Sequence, residues 1–127
     1  MSYYADSNGT KIFYQIRGEG EPLVLIMGFG ADGNLWEQHV AEYQKHFRCY
    51  LIDNRGVGKS DQPPGPYTTE MMARDVVAVM DHSQVSTARV AGISMGGAIA
   101  QQLALNHPER VHSLASVSYT HLRAHET

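Results

Sequence analysis

Ser94 sits at the centre of Gly92-Ile93-Ser94-Met95-Gly96, a G-x-S-x-G between an apolar run and a stretch rich in small residues. The pattern falls at a strand-to-helix junction. Glycines there let the chain turn sharply enough to hold a serine hydroxyl above a sheet, placed for nucleophilic chemistry. Gly96, Gly97, Ala98 and Ala100 let the following helix lie close under the strand, and its N-terminus points at Ser94. A second pattern, Gly28-Phe29-Gly30-Ala31-Asp32-Gly33, follows a strand and opens a helix, with Asp53 twenty residues beyond Gly33 at the end of the next strand. That arrangement serves dinucleotides: backbone N–H groups face a pyrophosphate and an acid holds the ribose hydroxyls. A third, Gly58-Lys59-Ser60, resembles the end of a phosphate-binding loop, but Asp53 occupies the place of its first glycine.

Context separates the first two. A dinucleotide domain usually opens with the strand before its glycines and wants a small residue four positions after the third. Here a hairpin comes first, and Glu37 stands at that position beside the bulky Trp36. The serine motif meets no such conflict.

The elements that must position Ser94 are legible in order. Residues 2–7 and 11–17 read as two short strands around the turn signal Asn8-Gly9. Leu23 to Met27 is an uninterrupted apolar run, the mark of a strand covered on both faces. Asp32 or Asn34 can cap a helix with Trp36, Val40, Tyr43 and Phe47 on one stripe. Cys49 to Ile52 is the next strand, followed by a Pro/Gly-rich loop from Gln62 to Pro66. Thr68 starts a helix with Met72, Val76, Val79 and Met80 facing inward. Arg89 to Ile93 is a strand, Ser94 to Asn106 a helix ending before Pro108, and Val111 to Val117 one more strand. Alternation after an opening hairpin predicts a three-layer α/β sheet with right-handed crossovers.

Composition bounds the rest. The chain has 127 residues, 43% of them hydrophobic, and a net charge of -3, which is ordinary for a globular domain. That charge offers no footprint for nucleic acid or an anionic membrane. Cys49 is the single cysteine, so no internal disulfide can form. The first residues lack the basic and apolar segments of a signal peptide, and no apolar stretch approaches the ~20 residues a membrane span needs. A cytoplasmic location is therefore expected.

Four stations together resemble the α/β-hydrolase superfamily: Leu25-Ile26-Met27-Gly28-Phe29-Gly30, Asp53-Asn54-Arg55-Gly56-Val57-Gly58-Lys59-Ser60, Gly92-Ile93-Ser94-Met95-Gly96-Gly97 and His107-Pro108-Glu109-Arg110-Val111. The likeness runs from about Tyr3 to Ala115, and the nearest flavour is that of 3-oxoadipate enol-lactonase-like hydrolases and related esterases. The resemblance implies an α/β-hydrolase fold truncated after about the sixth strand, since such domains are about twice this long. It makes Ser94 the nucleophile that forms an acyl-enzyme, with the backbone N–H groups of Phe29 and Met95 as the oxyanion hole. Gly28, Phe29, Trp36 and Met95 are then candidates to line a substrate pocket. The implied substrate is a small ester or lactone, with no cofactor, no metal, no nucleic acid and no membrane partner. Many members carry His where this chain has Met27, a change expected to leave the chemistry type intact. The alternatives are a non-catalytic binding module of the same fold and a dinucleotide-binding domain using Gly28, Gly30 and Gly33.

Other polar groups read as structural. Asp53 and Arg55 shape a turn, His39 and His46 lie on a helix, facing solvent or packed, His107 suits a helix C-terminus, and Cys49 is a small buried hydrophobe. The superfamily places its acid and histidine after the sixth strand, and no candidate acid or Gly-His turn follows here. His121 and His125 are too few to hold a metal. Residues 117–127 resemble the translation of an adapter used in transposase-based sequencing libraries. A TCT codon for Ser116 fits the two adapter bases before Val117, and a final AC encodes Thr127 whatever follows. The expected organisation is thus a partial hydrolase domain over 1–116 and a non-native tail over 117–127. As written, the chain is expected to aggregate or stay molten and to lack esterase activity.

Overall fold

A computed structural model describes residues 1–27 and 34–117, with side chains over 1–27 and 39–115. Strands β1 (Ser2–Ser7) and β2 (Thr10–Arg17) form the expected hairpin, turning at Asn8-Gly9. Then come β3 (Glu21–Ile26), helix α1 (Asn34–Tyr43), β4 (Phe47–Ile52), α2 (Thr69–His82), β5 (Ala88–Ile93), α3 (Met95–Asn106) and β6 (Val111–Val117). Across the sheet the order is β1, β2, β4, β3, β5, β6. The hairpin pairs antiparallel with β4, and β4, β3, β5 and β6 are mutually parallel.

The apolar run in β3 is explained by burial on both faces. Leu23, Leu25 and Met27 join Val40 of α1 and Cys49 of β4 on one side. Val24 and Ile26 join Met72, Val76, Val79 and Met80 of α2 and Ile99, Ala100 and Leu103 of α3 on the other. Helices thus cover both faces, the three-layer arrangement expected. Leu25 and Ile26 are wholly buried, and each contributes about 1.5–3 kcal/mol by leaving water. α2 starts where its stripe predicts, because the Thr68 hydroxyl accepts the Met71 N–H at 3.0 Å and caps the first turn.

One expected stripe member belongs to another element. α1 stops at Tyr43, and the N–H groups of Lys45 and His46 turn back to carbonyls three residues earlier. Phe47 opens β4, paired with Glu21, so the helical stripe ends before it. Its side chain still packs on the same apolar cluster as Tyr43, which is why helical spacing reached it. Ser94 likewise stands just before α3, at its cap, and is not part of the helix.

Cys49, Tyr14 and Tyr50 are buried, and burial pushes all three groups above their ordinary ionisation ranges. Their unfolded counterparts ionise near 8.5 for the thiol and near 10 for the phenols. Stability is therefore fully present below about pH 8 and declines as pH rises through those ranges, because only the unfolded chain can release the protons. In the full-length product, urea midpoints measured from pH 7 to 10.5 should fall at the alkaline end. Cys49 should react with a thiol reagent only after unfolding.

Candidate active site

Ser94 holds φ +60° and ψ −120°, a conformation that L-residues avoid and that costs of order 1–3 kcal/mol. The sharp turn at the end of β5 leaves Ser94 exposed. Two close approaches hold it there. A methyl added at Gly92 would run into the Gly96 carbonyl, and one added at Gly96 would run into the Ile26 carbonyl and close on that of Met27. Helix α3 therefore lies directly against the ends of β5 and β3, and only glycine fits at either contact. Gly96→Ala is expected to cost about 1–3 kcal/mol or more by forcing α3 off the sheet, read as a lowered urea midpoint. A drop under 0.5 kcal/mol would show that the contact yields.

Met95 opens α3, so its N–H is one of the helix donors with no partner inside the helix. Its side chain is half-buried and packs in part on the main core. Phe29, the other expected oxyanion donor, lies outside the described residues with Gly28, Gly30 and Gly33, as does the side chain of Trp36 on α1. Met27, just before that loop, is described and buried, and its carbonyl accepts the Asn54 side-chain amide at 2.8 Å.

The Asp53–Asp61 turn is held by its own polar groups. Asp53 Oδ2 accepts the Lys59 N–H at 3.0 Å, and the Ser60 hydroxyl donates to the Asp53 carbonyl at 2.6 Å while accepting the Phe13 N–H at 2.8 Å. Arg55 forks onto Asp75 of α2, with Nε to Oδ2 and Nη2 to Oδ1 both at 2.7 Å. The Ser7 hydroxyl donates to the same carboxylate, also at 2.7 Å. Asp75 keeps Arg55 a cation, its side-chain hydrogen bonds raising an already high value further. Both side chains are buried, so the turn is clamped to α2 and to the hairpin. Asp53 and Arg55 thus do structural work, as expected. For the dinucleotide alternative, β3 and β4 are neighbours as it requires, but the acid meant for a ribose is engaged by its own loop.

Two of these groups escaped the sequence reading. Asp75 looks like a solvent-facing charge in a helix, yet it lies three residues after Met72 and one before Val76, on the inward stripe. Asn54 sits inside a turn motif and carries no periodic signal.

The histidines lie elsewhere. His39 is exposed on α1 and stacks on Tyr43, His46 is exposed in the turn after α1 and so off the helix expected to carry it, and His107 closes the far end of α3 with its N–H on the Leu103 carbonyl. His82 bonds Tyr14 through Nδ1 at 2.6 Å. Among the described residues, none bonds the Ser94 hydroxyl, and no three His, Cys, Asp or Glu side chains gather as a metal site. His121 and His125 lie outside the described residues. No described helix is long and apolar enough to cross a membrane.

The alpha/beta hydrolase fold family matches residues 21–127. The chain is 39% identical to 3-oxoadipate enol-lactonase 2 of Acinetobacter baylyi over 69% of its own length and 33% of that protein's. It is 36% identical to the pimeloyl-[acyl-carrier protein] methyl ester esterase of Aeromonas hydrophila, covering 80% of this chain and 39% of the other. Among solved structures it resembles the enol-lactonase from Burkholderia xenovorans LB400, with a TM-score of 0.86 and 39% identity over 90% of this chain and 45% of that one. The chain spans less than half the length of the relatives it matches.

Proposed function

The chain belongs to the alpha/beta hydrolase fold family, and from that premise we propose that it is the N-terminal part of a serine hydrolase. The observation that carries the proposal is Ser94: an exposed hydroxyl held in a strained turn between β5 and α3, at a position where glycines are packed tightly on both sides. A protein folds around such strain only when the surrounding contacts over-determine it, and such positions gather where chemistry is done.

In this reading Ser94 Oγ attacks the carbonyl carbon of an ester or lactone while a base takes its proton. The developing oxyanion is met by the N–H groups of Met95 and Phe29. The leaving alcohol departs with a proton, and water then releases the acyl group. Lactonase and esterase names among the relatives support the substrate class. The base and its orienting acid come from chain that follows β6 in the full-length product, and residues 117–127 are adapter-derived. The 127-residue chain by itself is accordingly inactive and self-associates through the open edge of β6.

A fluorophosphonate probe tests the reading, because only an activated serine reacts. The full-length product is expected to label on Ser94, and the 127-residue chain is expected neither to label nor to turn over a p-nitrophenyl ester. A full-length product that folds but stays unlabelled would make it a non-catalytic relative that keeps the fold without the chemistry.

A further inference from the structure

We propose that the hairpin turn Asn8-Gly9 is a site of spontaneous covalent modification, at which Asn8 loses its side-chain amide as ammonia and becomes aspartate or isoaspartate. The inference is independent of the serine hydrolase reading. The turn joins β1 to β2 through two residues, the ladder closing at Ser7 opposite Thr10. Both turn residues hold positive φ, Asn8 at +49° and Gly9 at +90°, which is why these residue types stand there. Both are also exposed. The Gly9 N–H lies outside the ladder, and among the described residues it meets only Asp6 Oδ2, at 3.4 Å. That separation is beyond the usual range of an N–H···O bond, so little holds the group in place. Nothing lies within 4 Å of where a Cβ on Gly9 would stand, and approach to this peptide is open.

The chemistry needs no group beyond these two residues and water. The Gly9 backbone nitrogen attacks the Asn8 side-chain carbonyl carbon, forming an N–Cγ bond, and its proton passes to solvent. The bond from Cγ to the amide nitrogen breaks, and that nitrogen leaves as ammonia. The succinimide ring that remains is opened by water at either carbonyl. Opening at the side-chain carbonyl gives aspartate. Opening at the main-chain carbonyl gives isoaspartate, in which the chain runs through Cβ. Two other asparagines lack this freedom. Asn54 is buried, with its amide held on the Met27 carbonyl. Asn106 ends α3, and the N–H that would attack it, that of His107, is bonded to the Leu103 carbonyl at 2.7 Å. Isoaspartate adds a backbone methylene to a two-residue turn whose length sets the strand register. One residue away the buried Ser7 hydroxyl donates to Asp75, beside Arg55, and a longer turn pulls on that contact. Aspartate leaves the turn length unchanged.

The test ages the folded full-length product in mildly alkaline buffer beside a synthetic peptide of residues 1–11. Trypsin cuts after Lys11, and Asn8 is the single side-chain amide within residues 1–11. The tryptic peptide ending at Lys11 is expected to show the mass change of an amide replaced by an acid, before the peptides carrying Asn54 and Asn106 do. Its rate should lie within about tenfold of the free peptide's. Part of the product should accept a methyl group from an isoaspartyl methyltransferase, and the aged protein should have a lower urea midpoint. Asn8→Gly keeps the positive φ and removes the electrophilic carbonyl, so it should show neither change. A rate more than about tenfold below the free peptide's would mean that the hairpin protects Asn8, and would overturn the proposal. An unchanged midpoint in protein that has accumulated isoaspartate would overturn the link to the Ser7 contact.

Discussion

Ser94→Ala in the full-length product is expected to abolish fluorophosphonate labelling and to lower kcat by about 10⁴-fold or more, since a nucleophile acts as a unit with its base. Alanine keeps the Cβ, so the strain at φ +60° is unchanged and the melting temperature should move little. Loss of activity without loss of fold would separate a chemical role for the hydroxyl from a structural one. Ser94→Gly should be equally inactive yet somewhat more stable, because glycine adopts this conformation freely. An alanine variant that keeps a tenth of the activity would remove Ser94 from the mechanism.

The largest expected effect on stability lies at Asp75. Replacing it with alanine leaves the Arg55 guanidinium buried beside Tyr67 without its fork partner and takes an acceptor from Ser7. Breaking one side of a buried ion pair typically costs about 3–5 kcal/mol, because the remaining charge stays in a poor environment. Urea unfolding of Asp75→Ala should show a loss of that size at an unchanged slope. Replacing both partners with apolar residues of similar volume should recover most of it. A loss below 1 kcal/mol would show that water reaches Arg55.

The sequence was legible wherever a single local rule decides. The continuous apolar run in β3 fits a strand covered on both faces, and G-x-S-x-G between an apolar run and small residues fits a tight strand-to-helix turn. The Thr68 cap and the inward stripe of α2 follow from helix geometry alone. What was not legible depends on pairs far apart in the chain. Nothing near Arg55 announces Asp75, twenty residues on, or Ser7 in the opening hairpin. Asn54 finds its partner in a backbone carbonyl, which leaves no mark in sequence at all. Phe47 opens β4 although helical spacing extends to it, because spacing reports which apolar residues share a cluster and is silent on where the chain leaves the helix.

The central claim is that Ser94 is an activated nucleophile, and one adduct tests it most directly. Trypsin cutting after Arg89 and Arg110 releases residues 90–110, in which Ser94 is the single hydroxyl-bearing side chain. After fluorophosphonate treatment of the full-length product, mass spectrometry should find this peptide carrying one phosphonyl group, and heat denaturation before treatment should prevent it. An unmodified 90–110 peptide from folded protein, or an adduct on any other peptide alone, would contradict the account.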